Sequence, residues 1–215
     1  TAGAGGPRPL TRESLAEGVS ELSERDRHLA AVVEQHGPPP LWARPPGYPT
    51  LVQIILEQQV SLDSAAAAFA NLESAIGDVT PAWFLHLSDD QLNQIGFSRQ
   101  KAGYCRGLAV GILDGSLDLA QVESLEDAAV LARLTAIKGI GPWTADVYLL
   151  FALRRSDVWP RGDRALVVSM MENLGLDDVP TYEAAERLAQ RWRPWRSVAA
   201  RMLWHGYLLS RGRHL

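Results

Sequence analysis

The stretch LARLTAIKGIGPWTADVYLL, residues 131–150, decides the fold of this chain. Apolar residues recur at helical spacing as far as Ile137, Gly139 and Gly141 enclose a turn, and Pro142 suits the first position of a following helix. The stretch therefore predicts two helices that meet across a hairpin at about 131–147.

The turn of this hairpin has the chemistry of a phosphate site. Because they lack a Cβ atom, Gly139 and Gly141 can take unusual φ angles and let a ligand approach their amides closely. These amides lie at a helix N-terminus, where unpaired N–H donors meet the positive end of the helix dipole, and Lys138 adds a mobile charge. The alternative is a tight helix–helix turn in which glycine serves only packing.

The rest of the chain is punctuated as a series of helices. Ser23, Ser88 and Ser124 begin motifs that resemble capping boxes, and glycine stands where helices should stop, at positions 37, 77, 96 and 175. No segment alternates like a strand, so the sequence predicts an all-α protein. The predicted helices lie near 24–36, 49–59, 62–76, 81–87, 89–95, 98–114, 125–136, 142–154, 164–174, 181–192 and 195–210.

Two interruptions of the helical pattern suggest a division into lobes. Residues 37–49, GPPPLWARPPGYP, form a stiff proline-rich connector, and RRSDVWPRG at 154–162 breaks the second half. We predict one lobe from residues 1–49 together with 156–215, and a central lobe from residues 50–155 that carries the hairpin.

Charge is distributed unevenly along the chain. The net charge is -4, but residues 1–130 hold 8 Lys and Arg against 17 Asp and Glu, whereas residues 131–215 hold 13 against 8. The basic segment after Glu186 interleaves arginine with tryptophan, which favours a surface that faces a polyanion. In the alternative interpretation these arginines solvate amphipathic helices and pair with acidic residues of the first half.

Composition excludes several classes of protein. The longest apolar stretches are far shorter than the roughly 20 residues of a membrane-spanning helix. A single cysteine, Cys105, excludes a disulfide framework, and the five histidines show no metal-ligand spacing, so we expect no zinc site. We expect a cytoplasmic monomer, and 19 Arg against 2 Lys suggests a GC-rich bacterial genome.

Four blocks of sequence agree with one known family: IILEQQVS (54–61), IKGIGPWTAD (137–146), DVWPRGD (157–163) and RWRPWRSVAARMLW (191–204). Together they resemble the helix-hairpin-helix DNA glycosylases, and within them the AlkA type (3-methyladenine DNA glycosylase II). The resemblance runs from about residue 45 onward and implies a two-lobed all-α fold with the active site in the cleft between lobes. Larger family members carry an N-terminal β-rich domain, for which residues 1–44 leave no room.

The resemblance makes Asp163 the catalytic carboxylate. Breaking an N-glycosidic bond builds positive charge on the sugar, which a nearby anion stabilises. An alkylated purine is already cationic and departs readily, so a second carboxylate is not needed. Taken without the resemblance, Gly162-Asp163 before a helix is also what an N-cap looks like.

The resemblance also assigns the base pocket and the DNA contacts. Trp143 and Trp204 match pocket positions, where aromatic rings would hold a flipped cationic base, although both could be ordinary core residues. Val147 replaces the pocket tyrosine of the family. Gln59 matches the wedge that fills the gap left by the flipped base, with Gln58 beside it in the pocket, although both glutamines could be surface residues. The predicted DNA-binding residues are Gln59, Lys138, Gly139, Gly141 and Thr144.

Related enzymes with lyase activity carry a lysine where this chain has Trp143, so the sequence predicts a monofunctional enzyme. The cysteine cluster of the iron–sulfur branch is missing, and no cofactor is expected for catalysis. The resemblance allows a structural Na⁺ or K⁺ on the backbone carbonyls of Thr135, Ile137 and Ile140.

The predicted activity is removal of alkylated purines from double-stranded DNA. One alternative is a non-enzymatic helix-hairpin-helix module that only grips phosphates, and another is a glycosylase for oxidised or mismatched bases.

Overall fold

The computed structural model of the protein describes residues 9–213. All regular secondary structure in this range is helical. This part of the chain contains no strand, so the all-α prediction is confirmed. The helices are α1 (Arg12–Arg25), α2 (Arg27–His36), α3 (Tyr48–Glu57), α4 (Leu62–Ile76), α5 (Pro81–His86), α6 (Asp89–Ile95), α7 (Arg99–Leu113), α8 (Leu119–Ser124), α9 (Asp127–Thr135), α10 (Pro142–Phe151), α11 (Arg164–Leu174), α12 (Tyr182–Ala189) and α13 (Arg196–Leu209), with a 3-10 turn at Gln190–Trp192.

The described residues form two compact units. The first consists of residues 9–43 and 149–213, and the second of Arg44–Tyr148. One boundary lies inside the proline-rich connector, and the other lies inside α10, seven residues before the predicted one. The last turn of α10 belongs to the first unit because the carbonyl of Leu150 accepts a hydrogen bond from Arg201 at 2.7 Å. Residues 1–8 and 214–215 of the predicted first lobe lie outside the described residues.

The first unit is built around α13. Every residue from Ser197 to Trp204 is buried, and the helix packs on α1, α2 and α11. Two glycines allow the close approach of these helices. A Cβ atom on Gly18 would lie 2.9 Å from the Trp195 ring, and one on Gly206 would lie 3.1 Å from Val32.

The second unit is built around α3. Tyr48, Thr50 to Val52 and Ile54 to Leu56 are all buried, and α3 packs against α4 and α7. The Tyr48 hydroxyl donates to the carbonyl of Cys105 at 3.2 Å. Burial raises the pKa of both the Tyr48 hydroxyl and the Cys105 thiol, so both groups are neutral and Cys105 is an unreactive core residue.

Most predicted helix ends are confirmed, and two helices were missed. Gly37, Gly77, Gly96 and Gly175 all cap helix C-termini, and Ser88 forms a full capping box with Gln91. The prediction that Ser23 begins a helix is wrong, because α1 already begins at Arg12. Its capping box uses Ser14 in place of the usual Glu or Gln, which hid the start. The short α8 was missed as well, and α9 is preceded by Glu126 rather than Ser124.

None of the helices within residues 9–213 is long and apolar enough to cross a membrane.

Asp26 joins three parts of the first unit through one buried carboxylate. Its Oδ1 accepts from the backbone N–H groups of His28 and Leu29 at the start of α2, at 3.0 and 3.4 Å. Its Oδ2 accepts from the Trp192 indole at 2.8 Å and lies 3.3 Å from the Arg191 guanidinium. Burial alone would raise the pKa of Asp26, but these donors outweigh it and hold the pKa below its ordinary value.

We predict that Asp26→Asn lowers the free energy of unfolding by about 1.5–3 kcal/mol near neutral pH, because it removes charge-assisted hydrogen bonds. A carboxylate whose pKa is lower in the folded state stabilises above the unfolded pKa and loses this effect as pH falls through the folded value. Urea unfolding should therefore show the gap between wild type and variant shrinking below about pH 4. Glu17→Gln, on the exposed side of α1, is the control, and a gap that does not depend on pH would contradict the assignment.

Candidate functional site

Asp163 lies at the N-terminus of α11, directly after Gly162, whose φ of 77° turns the chain. Its Oδ1 accepts a hydrogen bond from the backbone N–H of Leu166 at 2.8 Å and another from the Trp204 indole at 3.2 Å. The residue is only 9% exposed. The N-cap interpretation of Asp163 is therefore correct as a description of its structure. It does not compete with a chemical role, because the same two donors fix the orientation of the carboxylate.

Trp204 is held by its neighbours on α10 and α13. The Phe151 ring stacks on it with centroids 5.5 Å apart and an angle of 21° between the planes. Phe151 has a second neighbour: the Arg201 guanidinium lies over its ring, 5.7 Å from the centroid. Trp204 is 7% exposed, so in the free protein it is both a core residue and the hydrogen-bond donor that orients Asp163. Sequence analysis missed Phe151, because it ends an apolar run that is typical of any core helix.

The loop that leads to Asp163 is fastened to the start of α13. The Ser197 hydroxyl accepts from the backbone N–H of Val158 at 2.9 Å and donates to its carbonyl at 3.1 Å. Arg196 donates to both carboxylate oxygens of Asp157, at 2.8 and 3.0 Å. The DVWPRGD and RWRPWRSVAARMLW blocks are therefore parts of one packed arrangement. Ser197 is fully buried, and sequence analysis did not single it out.

The predicted hairpin joins α9 and α10. Gly139 has a φ of 94°, and a Cβ atom there would lie 2.1 Å from the Tyr104 ring. Gly141 differs, because it is exposed and a Cβ atom there would meet nothing within 4 Å. The packing interpretation therefore applies to Gly139, whereas the open space over Gly141 is available to a ligand. Lys138, three residues earlier in the chain, is also exposed.

Gln58 connects the end of α3 to this hairpin. Its side-chain Nε2 donates to the carbonyl of Gly139 at 3.0 Å and to Thr144 Oγ1 at 2.9 Å. Thr144 is only 2% exposed, and its hydroxyl accepts the hydrogen bond from Gln58, so this side chain is used internally in the free protein. Its contact with DNA stays a prediction. Gln58 supports the hairpin, and Gln59 next to it is exposed with a φ of 57°.

The structure groups the predicted residues by unit. Asp163 and Trp204 are in direct contact in the first unit. In the second unit, Gln58 is hydrogen-bonded to Gly139 and Thr144, and the half-buried Trp143 follows Pro142 in the first turn of α10. Thr135, Ile137 and Ile140 lie in the hairpin, where the Ile140 N–H donates to the carbonyl of Ile137 at 3.0 Å.

Most of the arginines near the C-terminus are used inside the first unit. Arg191 pairs with Asp26, Arg196 with Asp157, and Arg211 with Glu172 at 2.7 Å, while Arg201 is fully buried. Trp192 and Trp204 are buried as well. Of these three acidic partners, only Asp26 lies in the first half of the chain, so the alternative of pairing with acidic residues of that half holds for Arg191 but not for Arg196 and Arg211. A surface that faces a polyanion stays a prediction for this segment.

Across residues 9–213, no three His, Cys, Asp or Glu side chains come together in a way that could hold a metal ion. His214, one of the five histidines considered, lies outside the described residues.

The turn between α9 and α10 defines the class of this chain, that of helix-hairpin-helix proteins. Residues 52–194 match the HhH-GPD superfamily of base excision DNA repair proteins, and the chain belongs to this superfamily. The family resemblance found in the sequence is thereby confirmed.

Known proteins resemble nearly the whole chain. The crystal structure of a DNA-3-methyladenine glycosidase from Bacillus halodurans is 30% identical, covers 91% of this chain and 92% of its own, and has a TM-score of 0.73. The structure of the Schizosaccharomyces pombe 3-methyladenine DNA glycosylase Mag1 in complex with abasic DNA is 26% identical, covers 87% and 95%, and has a TM-score of 0.79. The Bacillus subtilis protein YfjP is 28% identical over 82% of this chain, which spans 64% of the length of YfjP, slightly less than two thirds.

The two glycines of the hairpin should respond differently to the same substitution. Gly139→Ala forces a side chain into the Tyr104 ring at a positive φ and should lower the free energy of unfolding by more than about 2 kcal/mol. Gly141→Ala adds its methyl group to open space and should change stability by less than about 0.5 kcal/mol. Urea unfolding of both variants checks this, and equal losses would show that the two glycines do not differ in packing.

Proposed function

We propose that this protein is a monofunctional DNA glycosylase that removes alkylated purines, of the 3-methyladenine and 7-methylguanine type, from double-stranded DNA. The observation that carries the proposal is the similarity, along nearly the whole chain, to the Bacillus halodurans DNA-3-methyladenine glycosidase. The buried, oriented carboxylate of Asp163 supports it from the side of chemistry.

Asp163 supplies the negative charge that the reaction needs. As the bond between C1′ and the base nitrogen breaks, its electron pair leaves with the base, and positive charge develops on the sugar. The carboxylate stabilises this charge, a water molecule adds to C1′ through its oxygen, and the proton that this water loses passes to the solvent. The products are the free base and an abasic site. Because two donors fix Asp163 before substrate arrives, little reorganisation is needed during the reaction.

Trp204 in the first unit and Trp143 in the second are aromatic residues of the kind that hold a flipped cationic base. Since Trp143 stands where related lyases have a lysine, the enzyme makes no Schiff base and leaves the DNA strand intact. Val147 is buried at the position where the family has its pocket tyrosine, so the base pocket of this protein has one aromatic ring fewer than that of its relatives.

The exposed turn of the hairpin binds a DNA phosphate through Lys138 and the backbone at Gly141, with Gly139 as the packed hinge of the turn. A Na⁺ or K⁺ ion on the carbonyls of Thr135, Ile137 and Ile140 would offset phosphate charge, since rings of backbone oxygens suit such ions. Gln59 acts as the wedge. The enzyme acts as a monomer, because Asp163 and the Trp204 that orients it lie in one chain. Its substrate is bacterial chromosomal DNA in the cytoplasm.

Asp163→Asn should reduce the release of free base from methylated duplex DNA by orders of magnitude while DNA affinity changes little. The reason is that asparagine caps a helix as well as aspartate does but carries no negative charge. The measurement is chromatography of released 3-methyladenine, with strand nicking scored before and after alkali. For the wild type, nicks should appear only after alkali.

A matched control exists in the second unit. Asp118 caps α8 by accepting from the Gln121 N–H at 3.0 Å, so Asp118→Asn makes the same chemical change at another N-cap. It should leave base release unchanged. If Asp163→Asn is as active as wild type, Asp163 is not the catalytic carboxylate, and if wild type releases no base, the chain is not an alkylpurine glycosylase.

Lys138→Met should weaken binding to damaged and undamaged duplexes alike. A contact to phosphate does not depend on the DNA sequence, so its loss should weaken binding to both duplexes equally. It should also reduce the slope of log affinity against log salt concentration by about 1. Fluorescence anisotropy over a range of salt concentrations measures both quantities. An unchanged slope would show that Lys138 does not contact phosphate.

A further inference from the structure

The turn between α3 and α4, residues 58–61, is fastened by a lysine from another helix. Lys101 of α7 donates from its Nζ atom to the carbonyl of Leu56 at 2.7 Å and to the carbonyl of Gln58 at 2.8 Å. Carbonyls at a helix C-terminus lack intrahelical donors and face the negative end of the helix dipole. Lys101 therefore satisfies both the hydrogen-bonding and the electrostatic needs of the end of α3.

The backbone that Lys101 holds is strained. Gln59 has a φ of 57°, which lies in the left-handed region that is unfavourable for a non-glycine residue. Such a conformation persists only where its surroundings enforce it. The carbonyl of Gln58 and the nitrogen of Gln59 belong to one peptide plane, so the bond from Lys101 to that carbonyl restrains the φ of Gln59.

A second restraint acts on the same turn from the hairpin. The Gln58 side chain is bonded to Gly139 and Thr144, as described above. Gln58 is thus held at its main chain by Lys101 and at its side chain by the hairpin. Between these restraints and the start of α4, Gln59 and Val60 are exposed, Val60 to 47%.

We propose that Lys101 is a positioning residue that holds the α3–α4 turn so that Gln59 is presented for insertion into DNA. This inference rests on the proposed function, in which Gln59 is the wedge. Lys101 acts through the Gln58 carbonyl and does not itself touch the nucleic acid.

The choice of lysine fits this role. A single ammonium can donate to two carbonyls from one atom, whereas the planar guanidinium of arginine spreads its donors over a fork. The chain has 19 Arg and only 2 Lys, of which one is exposed in the hairpin and the other is Lys101. Partial burial of the Lys101 ammonium lowers its pKa.

The test uses DNA binding without base release. The probe is a duplex in which 2-aminopurine stands opposite a tetrahydrofuran abasic site, so that insertion of the wedge changes its fluorescence. The proteins are wild type, Lys101→Met, Gln59→Ala and the double variant. We expect Lys101→Met to lose most of the fluorescence change and to bind about tenfold more weakly, and the double variant to match Gln59→Ala.

Two further variants separate positioning from stability. In the same unit, Asn71 of α4 donates to the carbonyl of Ile95 at the end of α6 at 3.2 Å, so Asn71→Ala removes a comparable cap away from the wedge. Asn71→Ala should leave the fluorescence change intact, even if it lowers the thermal stability of the protein. Lys101→Gln retains a donor and should be intermediate, which keeps the test available if Lys101→Met does not fold.

A wild-type fluorescence change in Lys101→Met, or additive losses in the double variant, would overturn the proposal. Because the probe needs no glycosidic cleavage, its result is independent of base release. A wild type that releases no methylated base yet shows coupling between Lys101 and Gln59 would overturn the glycosylase assignment alone.

Discussion

The first unit depends on the buried guanidinium of Arg201. Its Nε, Nη1 and Nη2 atoms donate to the carbonyls of Leu41, Ser197 and Leu150, at 2.9, 3.1 and 2.7 Å. One side chain thereby connects the proline-rich segment, the end of α10 and α13. Burial lowers the pKa of Arg201 to about 9, which still leaves it charged at neutral pH. A buried charge that loses its partners is strongly destabilising, so the three carbonyl groups have to stay in place around Arg201.

The candidate site is built outward from that charge. Arg201 lies beside the Phe151 ring, Phe151 stacks on Trp204, and Trp204 donates to Asp163. Each contact is short-ranged, but together they carry orientation from the core of the first unit to its carboxylate. Asp163 is thus placed by packing as much as by the helix that it caps. The structural and chemical interpretations of this residue describe two consequences of one geometry.

The two glycines of the hairpin differ in their packing. Gly139 is needed because Tyr104 occupies the space of its Cβ atom, and Gly141 leaves its surroundings open. Two glycines that look equivalent in sequence therefore have different reasons to be glycine. Part of the basic character of the C-terminal half is used internally, because Arg191, Arg196 and Arg211 pair with Asp26, Asp157 and Glu172.

The sequence by itself determined the all-α class, the hairpin and most helix ends, because apolar periodicity, glycine stops and Pro142 are local signals. It also singled out Asp163 and Trp204, which are hydrogen-bonded to each other in the structure, while their roles in catalysis stay predictions. Only the tertiary structure decided that Thr144 is buried, that α10 extends into the first unit, and that Lys101 and Arg201 hold backbone carbonyls distant in sequence. These features depend on which residues meet across separate helices, and no local pattern encodes that pairing.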